Sequence, residues 1–232
     1  MSRLAVLLCA LTVFATVSYA QRTDKQMANC TFYHSKADMA RKRLVQFFDT
    51  LRFAPGEHIA EVGAKGANLA GMFSLMYKDI DFTLEDIDSG CLNDQQVDFV
   101  LRHYSSINGG KHPEGIRCHV VIGNDSSTTL PTAAYQKVFF INTYHEVTKP
   151  KPMLADIYRI LAPGGILYAQ ENVSLRKPVR RKDCGHMTPV ESELLQAFQA
   201  AGFSLLKAKV SERHRRKGDK VQWTWYQFQK LG

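Results

Sequence analysis

The chain has 232 residues, 45% apolar and 22% charged, with a formal charge of +8. That length suits one domain with a sizeable core. The mix is globular and excludes a disordered, collagenous or repeat-built chain.

The first twenty residues stand apart. Ser2-Arg3 is a short positive start, Leu4 to Val17 is apolar, and Ser18-Tyr19-Ala20 puts small residues three and one before a cut ahead of Gln21. This is the pattern of a secretory signal peptide. The apolar stretch is shorter than the about 20 residues of a membrane span. The expectation is an exported chain, periplasmic or secreted, with one domain over 21–232 and no span after cleavage. Cys30, Cys91, Cys118 and Cys184 then remain. Four cysteines allow three pairings, although a domain this long does not need staples and free buried thiols are expected. No Cys-x-x-Cys or His-x-x-x-His pair occurs, so no zinc site is expected.

Met39, Leu44, Val45, Phe47, Phe48 and Leu51 recur at helical spacing over 38–51, within an N-terminal helical segment of about 36–54 that Pro55-Gly56 closes. A first strand follows over 58–62, then a helix over 68–77 and a second strand over 81–87 that ends in acids. Residues 92–104 read as a helix, and 105–116 as an irregular loop. Strands at 118–122 and 138–142 precede a helix over 152–161, which Ala162-Pro163-Gly164-Gly165 stops. A fifth strand over 166–173, a helix over 189–201 and strands over 203–210 and 221–229 complete the chain. Alternating strands and helices imply a parallel sheet covered on both faces. The last two strands have no helix between them, so the last is expected to be antiparallel.

The most informative stretch is Ile59-Ala-Glu61-Val-Gly63-Ala-Lys65-Gly66-Ala67-Asn-Leu69. An apolar strand carries an acid and breaks into a glycine turn before a helix. Such a turn lets a nucleotide-like ligand touch backbone N–H groups. Asp86, at the end of the second strand, is placed to take both hydroxyls of a ribose. A dinucleotide loop of the form Gly-x-Gly-x-x-Gly is not met, because the glycines fall at 63 and 66 only.

These residues, with Asn124-Asp125, the run Phe139-Phe-Ile-Asn142-Thr-Tyr144-His145-Glu146-Val147, and Arg159-Ile-Leu-Ala-Pro163-Gly164-Gly165, resemble class I S-adenosylmethionine-dependent methyltransferases. The Tyr-His-Glu step, Gly185-His186-Met187 and Ala200-Ala-Gly202-Phe203 are similar to a branch of small bacterial enzymes. The resemblance covers about residues 38–230. It implies a doubly wound, Rossmann-like α/β fold with a seven-stranded, mostly parallel sheet and an antiparallel last strand. It implies S-adenosylmethionine as cofactor, with Glu61 facing its amino group, Gly63 and Gly66 lining it, Asp86 on the ribose, and Asp125, or Asn124 beside it, on the adenine amine. His145 is the candidate general base toward a small-molecule acceptor. Lys65 and Ala67 stand where the family loop has glycine. Lysine there brings a Cβ into a turn that needs positive φ and a charge near a sulfonium. A non-catalytic exported binding protein on a degenerate methyltransferase scaffold is therefore the second expectation.

Two basic clusters follow the fifth and sixth strands: Arg176, Lys177, Arg180, Arg181 and Lys182, then Arg213, Arg215, Arg216, Lys217 and Lys220. They read as two solvated loops, or as the rim of a site for an anionic substrate or surface. Nucleic acid is not expected, since Trp223, Trp225 and Tyr226 are the only aromatics interleaved with polar residues and read as sheet packing.

Overall fold

The computed structural model describes residues 24–48, 51–111, 114–211 and 220–231. The signal-peptide stretch and Arg213, Arg215, Arg216 and Lys217 of the second basic cluster lie outside them. Among the described residues no helix is long and apolar enough to cross a membrane.

The elements run α1 (Asp24–Ala28), α2 (Ala37–Phe47), β1 (His58–Val62), α3 (Asn68–Phe73), β2 (Asp81–Asp86), α4 (Asp94–Ile107), β3 (Arg117–Ile122), β4 (Tyr135–Ile141), a 3-10 turn (Tyr144–Glu146), α5 (Pro150–Ile160), β5 (Leu161–Ser174), α6 (Glu191–Ala200), β6 (Phe203–Val210) and β7 (Val221–Lys230). The sheet order is β3-β2-β1-β4-β5-β7-β6. β1 to β5 pair in parallel, and β7 runs antiparallel to both β5 and β6. The expected seven-stranded doubly wound architecture is the one observed.

Local chemistry explains the helices. In α5 the buried residues Met153, Leu154, Ile157 and Ile160 form one stripe, and Pro150 fits the first turn, where its missing N–H is not needed. Asn93 caps α4 by accepting from the Gln96 N–H at 3.0 Å. The helix then runs past the expected end into the segment read as loop. α3 is shorter than expected. The Ser74 hydroxyl donates to the Gly71 carbonyl at 2.6 Å, a local bond that competes with helix continuation.

Two apolar layers cover the sheet. Leu44, Phe73, Val100, Tyr104 and Phe139 pack on one face, and Ile157, Leu167, Phe198 and Phe228 on the other. Strand order reverses between β1 and β4, and in such sheets the crevice at the strands' carboxyl ends is the ligand edge.

One disulfide joins Cys30 to Cys91, across 61 residues of sequence. This corrects the expectation of free thiols for that pair. Cys118, half-buried, and Cys184, exposed, are free. The disulfide ties the segment before α2 to the start of α4. Tyr33 then donates to the Gly66 carbonyl at 3.0 Å, and Gln96 donates to the Tyr33 hydroxyl and the Met27 carbonyl. An N-terminal strap is thereby fixed across the glycine loop.

Candidate functional site

A cleft of about 760 Å³ opens at the carboxyl edge, lined by Glu61, Gly63, Lys65 and Asp86 on one side and by Asn142, Gln170, Trp223 and Trp225 on the other. A second hollow of about 110 Å³ adjoins it, lined by Glu85, Asn124, Asp125 and Val147, and shares Gly63, Asp86, Ile87, Thr143 and Glu146 with the first.

Glu61 and Asp86 sit on the same face of the sheet, because Glu61 is in register with Leu84, two residues before Asp86. Glu61 is buried and its Oε2 has no hydrogen-bond partner. Burial first, and the neighbouring Asp86 second, push its carboxyl well above the usual range. Asp86 is half-buried, and burial raises its carboxyl too. Its Oδ2 accepts from the Lys65 N–H at 2.7 Å and its Oδ1 from the Asp88 N–H at 2.8 Å, so each oxygen keeps capacity for a further donor.

The glycine loop differs from the expected role in one respect. The N–H groups of Gly63 and Ala64 both donate to the Glu85 carbonyl at 2.9 Å, and that of Ala67 to the Ala64 carbonyl at 2.8 Å. With the Lys65 N–H on Asp86, these amides are consumed within the protein. The loop is not a phosphate cradle, which needs its N–H groups free. Gly63 is required for another reason. At φ +78, a Cβ there would lie 2.3 Å from Thr143 Cγ2, the first residue beyond β1 being pressed against the second beyond β4. Gly66 is closed over by the strap, since a Cβ would lie 2.6 Å from Thr31 Cγ2. Lys65 and Ala67 hold φ +43 and +56, so the two departures from glycine fall in the left-handed region, at about 1–2 kcal/mol each. The Lys65 residue is exposed.

Asp125 stands in the smaller hollow, but its carboxylate pairs with Lys149 at 2.8 Å, which holds it below the usual carboxylate range. Asn124 is folded into an Asx turn, accepting from the Ser126 and Ser127 N–H groups at 3.0 Å. Glu85 faces this same hollow, on the opposite side of the sheet from Glu61. It is buried, its Oε1 is unpartnered, and burial together with Asp86 pushes it up to about 8.

His145 lies in the 3-10 turn after β4, but its imidazole is enclosed, with 0% side-chain exposure, and is not among the cleft-lining groups. Its Nδ1 meets Glu171 Oε2 at 2.9 Å, and its backbone N–H donates to the same oxygen at 3.1 Å. Arg181 reaches in from the basic cluster after β5. It donates to Asn142 Oδ1 at 2.8 Å, contacts Glu171 Oε1 at 3.3 Å, and is clamped from outside by Asp183 at 2.6 Å. Arg181, only 8% exposed at its side chain, is thus no part of a solvated basic rim, while Arg176, Lys177, Arg180 and Lys182 are exposed.

Sequence reasoning did not find Glu171, Arg181 or Gln170 as site residues. Gln170 is 1% exposed with both side-chain amide atoms unpartnered, and Trp225 opposite it in β7 leaves its indole N–H unpartnered. The aromatics of β7 therefore form a cleft wall as well as packing the sheet. Trp225 stacks on Phe47 at 4.1 Å between ring centroids, and Arg43 lies over Trp223 at 4.1 Å.

No family model and no curated protein matches the chain. Solved structures do. A SAM-dependent methyltransferase from Methanosarcina mazei superposes with a TM-score of 0.55 at 16% identity, covering 77% of this chain and 94% of that one. The [4+2]-cyclase SpnF gives 0.61 at 16% identity, covering 89% and 91%. Phosphoethanolamine N-methyltransferase 2 from Haemonchus contortus, in complex with S-adenosyl-L-methionine, gives 0.63 at 11% identity, covering 92% of this chain and 59% of that one. At these identities the likeness establishes the Rossmann-like methyltransferase fold.

Proposed function

We propose that the chain binds S-adenosylmethionine at the junction of β1, β2 and β4 and transfers its methyl group to a small molecule. Glu61 carries this reading: a carboxylate sealed into the cleft wall with one oxygen unpartnered. Ionising a buried carboxyl without a partner is costly, and an amino-acid ammonium would supply that partner. The internally consumed loop amides favour a ligand without phosphates over a dinucleotide. The neighbours' cofactor in the same fold supports the choice.

The bound cofactor supplies an electrophilic methyl group on a sulfonium, and the chain's own part is positioning. Glu61 takes the ammonium. Asp86 offers its remaining lone pairs to ribose hydroxyls. Asp125 or Asn124 meets the adenine end in the smaller hollow, where Asp125 must exchange Lys149 for the ligand. Gln170, with donor and acceptor both open, faces the acceptor between Trp223 and Trp225, an arrangement that fits a small planar molecule with a donor beside an acceptor. His145, enclosed behind Glu146, positions this edge rather than touching the acceptor. Export by a cleaved leader at 1–20 remains part of the reading, and the Cys30–Cys91 disulfide favours it, since such bonds persist in oxidising compartments.

Lys65 at φ +43 favours a second reading, a binding protein that no longer transfers methyl groups. SpnF, named for a cyclisation, is a neighbour with this fold that carries another activity in its name.

Thermal denaturation of the full chain with S-adenosylmethionine and S-adenosylhomocysteine tests the first reading. Ligand at a hundred times its Kd adds about 2.7 kcal/mol of stability and raises the Tm. An unchanged Tm at millimolar concentrations of both would sink it. Binding without release of labelled methyl groups to any acceptor tried would favour the second.

A further inference from the structure

The turn Arg180–Met187 brings a cysteine to the enclosed histidine. Its ends are bridged between Arg180 and Met187, Arg181 N–H donates to the His186 carbonyl at 2.8 Å, and Gly185 N–H to the Arg181 carbonyl at 3.1 Å. Arg181 is itself anchored on Asn142 and Glu171. Cys184 is thereby presented to His145 and Glu146, and one donor atom of each of the three lies within 4.8 Å of the other two.

Two independent features of His145 say what this cluster would hold. First, its Nε2 is buried and has no hydrogen-bond partner, with Glu146 Oε1 3.6 Å away. Second, Nδ1 faces the Glu171 carboxylate at 2.9 Å. A carboxylate accepts, so the contact orients Nδ1 as a donor and turns Nε2 toward Glu146 and Cys184. The Arg181 guanidinium, 3.2 Å from Nδ1, already has Asn142, Glu171 and Asp183 as acceptors and does not need that nitrogen. A carboxylate behind a histidine whose far nitrogen is open is the arrangement that orients a metal-binding imidazole.

From these contacts we infer that His145 Nε2, Glu146 and Cys184 bind a divalent cation of borderline softness, zinc above all. The donor set of imidazole, thiolate and carboxylate suits zinc and excludes magnesium and calcium, which take oxygen. Bonds of about 2.0–2.3 Å draw tetrahedral donors to within about 3.5 Å of one another. The exposed Cys184, next to Gly185 at φ +76, has the freedom to close that gap. Three protein donors leave one position open. Glu146 also lines the cleft, so a hydroxyl or thiol entering that position would be acidified by the ion, the work otherwise asked of a base. That last consequence rests on the methyl-transfer reading, whereas the binding of the ion does not.

Cobalt(II) titration of the chelator-treated full chain, with the disulfide intact, is the test. One equivalent is expected to bind, with a thiolate-to-cobalt charge-transfer band that zinc bleaches by displacement. Cys184→Ser should abolish the band and Cys118→Ser should leave it, because Cys118 sits elsewhere with its thiol pushed up to about 12 by burial. Glu171→Gln, which keeps the shape but weakens the acceptor behind Nδ1, should weaken zinc binding about 10–100-fold, with the Tm recorded alongside. Absence of saturable cobalt binding by the folded chain, or a charge-transfer band that survives Cys184→Ser, overturns the proposal.

Discussion

The two ends of the cleft handle buried charge in opposite ways. At the β4–β5 end, Glu171 receives the His145 backbone N–H, the His145 ring and Arg181, and Arg181 is clamped in turn by Asp183. At the β1–β2 end, Glu61 and Glu85 are buried with an oxygen each unpartnered, and among the described residues no cation is paired with either. The charges of the first end are completed by the protein's own groups, and what stays open there is neutral, an imidazole nitrogen and the Gln170 amide. The second is completed only by something that arrives. A buried acid is thus informative through its partners: where they are present the acid builds structure, and where they are missing it marks a binding site.

The contrast predicts opposite signs for superficially similar substitutions. Glu171→Ala leaves Arg181 and the His145 N–H groups facing a void and is expected to cost about 3–5 kcal/mol of stability, read as a large fall in urea midpoint. A midpoint unchanged within error would show the lattice to be ornamental. Glu61→Gln goes the other way. The apo chain is expected to gain stability, because a carboxyl disfavoured by burial is replaced with a neutral group, while cofactor affinity falls by about 2–5 kcal/mol as the ammonium loses its partner. A destabilised variant with unaltered affinity would merge the two ends into one class.

Glu85 sharpens the comparison through pH. Its folded value of about 8 lies above the usual 4.5, so between these limits the folded state holds the extra proton. Stability is therefore highest below about pH 4.5 as far as this group is concerned, falls as pH rises toward 8, and flattens beyond. Glu85→Gln should remove that slope from a series of denaturation curves between pH 5 and 8, and a slope retained in the variant would assign it elsewhere. The smallest effect belongs to Lys65→Gly. Relief of a left-handed lysine, about 1–2 kcal/mol, less the entropy glycine adds to the unfolded chain, is expected to leave a gain of about 0.5–1 kcal/mol, with Ala67→Gly as its companion. A loss on either substitution would show that the loop needs those side chains.

The sequence made the sheet legible because its strands are apolar runs and its helices carry clean stripes. Glu61 was legible for a related reason: an acid inside an apolar strand contradicts its surroundings, and the contradiction points to a ligand. The signal was present at Glu85 but was not followed there, and it was weaker at Glu171, which Gln170 and Asn172 flank in the strand. Separating the two kinds of buried acid needs the third dimension, since Arg181 reaches Glu171 only when the turn after β5 folds back. Its position within five basic residues instead suggested a solvated rim. The Cys30–Cys91 pair was equally closed to inspection, because spacing alone leaves three pairings open. The glycine loop was found by pattern, yet its amides turn inward, a fact no spacing rule carries.

The most direct test of the central claim is calorimetry of S-adenosylmethionine binding to the full chain and to Glu61→Gln, in two buffers of different ionisation enthalpy. Burial and Asp86 raise the Glu61 carboxyl, so pairing with an ammonium requires it to ionise. The account predicts saturable binding to the native chain with proton release, seen as a buffer-dependent enthalpy. It also predicts that Glu61→Gln loses both the release and most of the affinity. Binding of equal strength and equal proton count in the two proteins would contradict it.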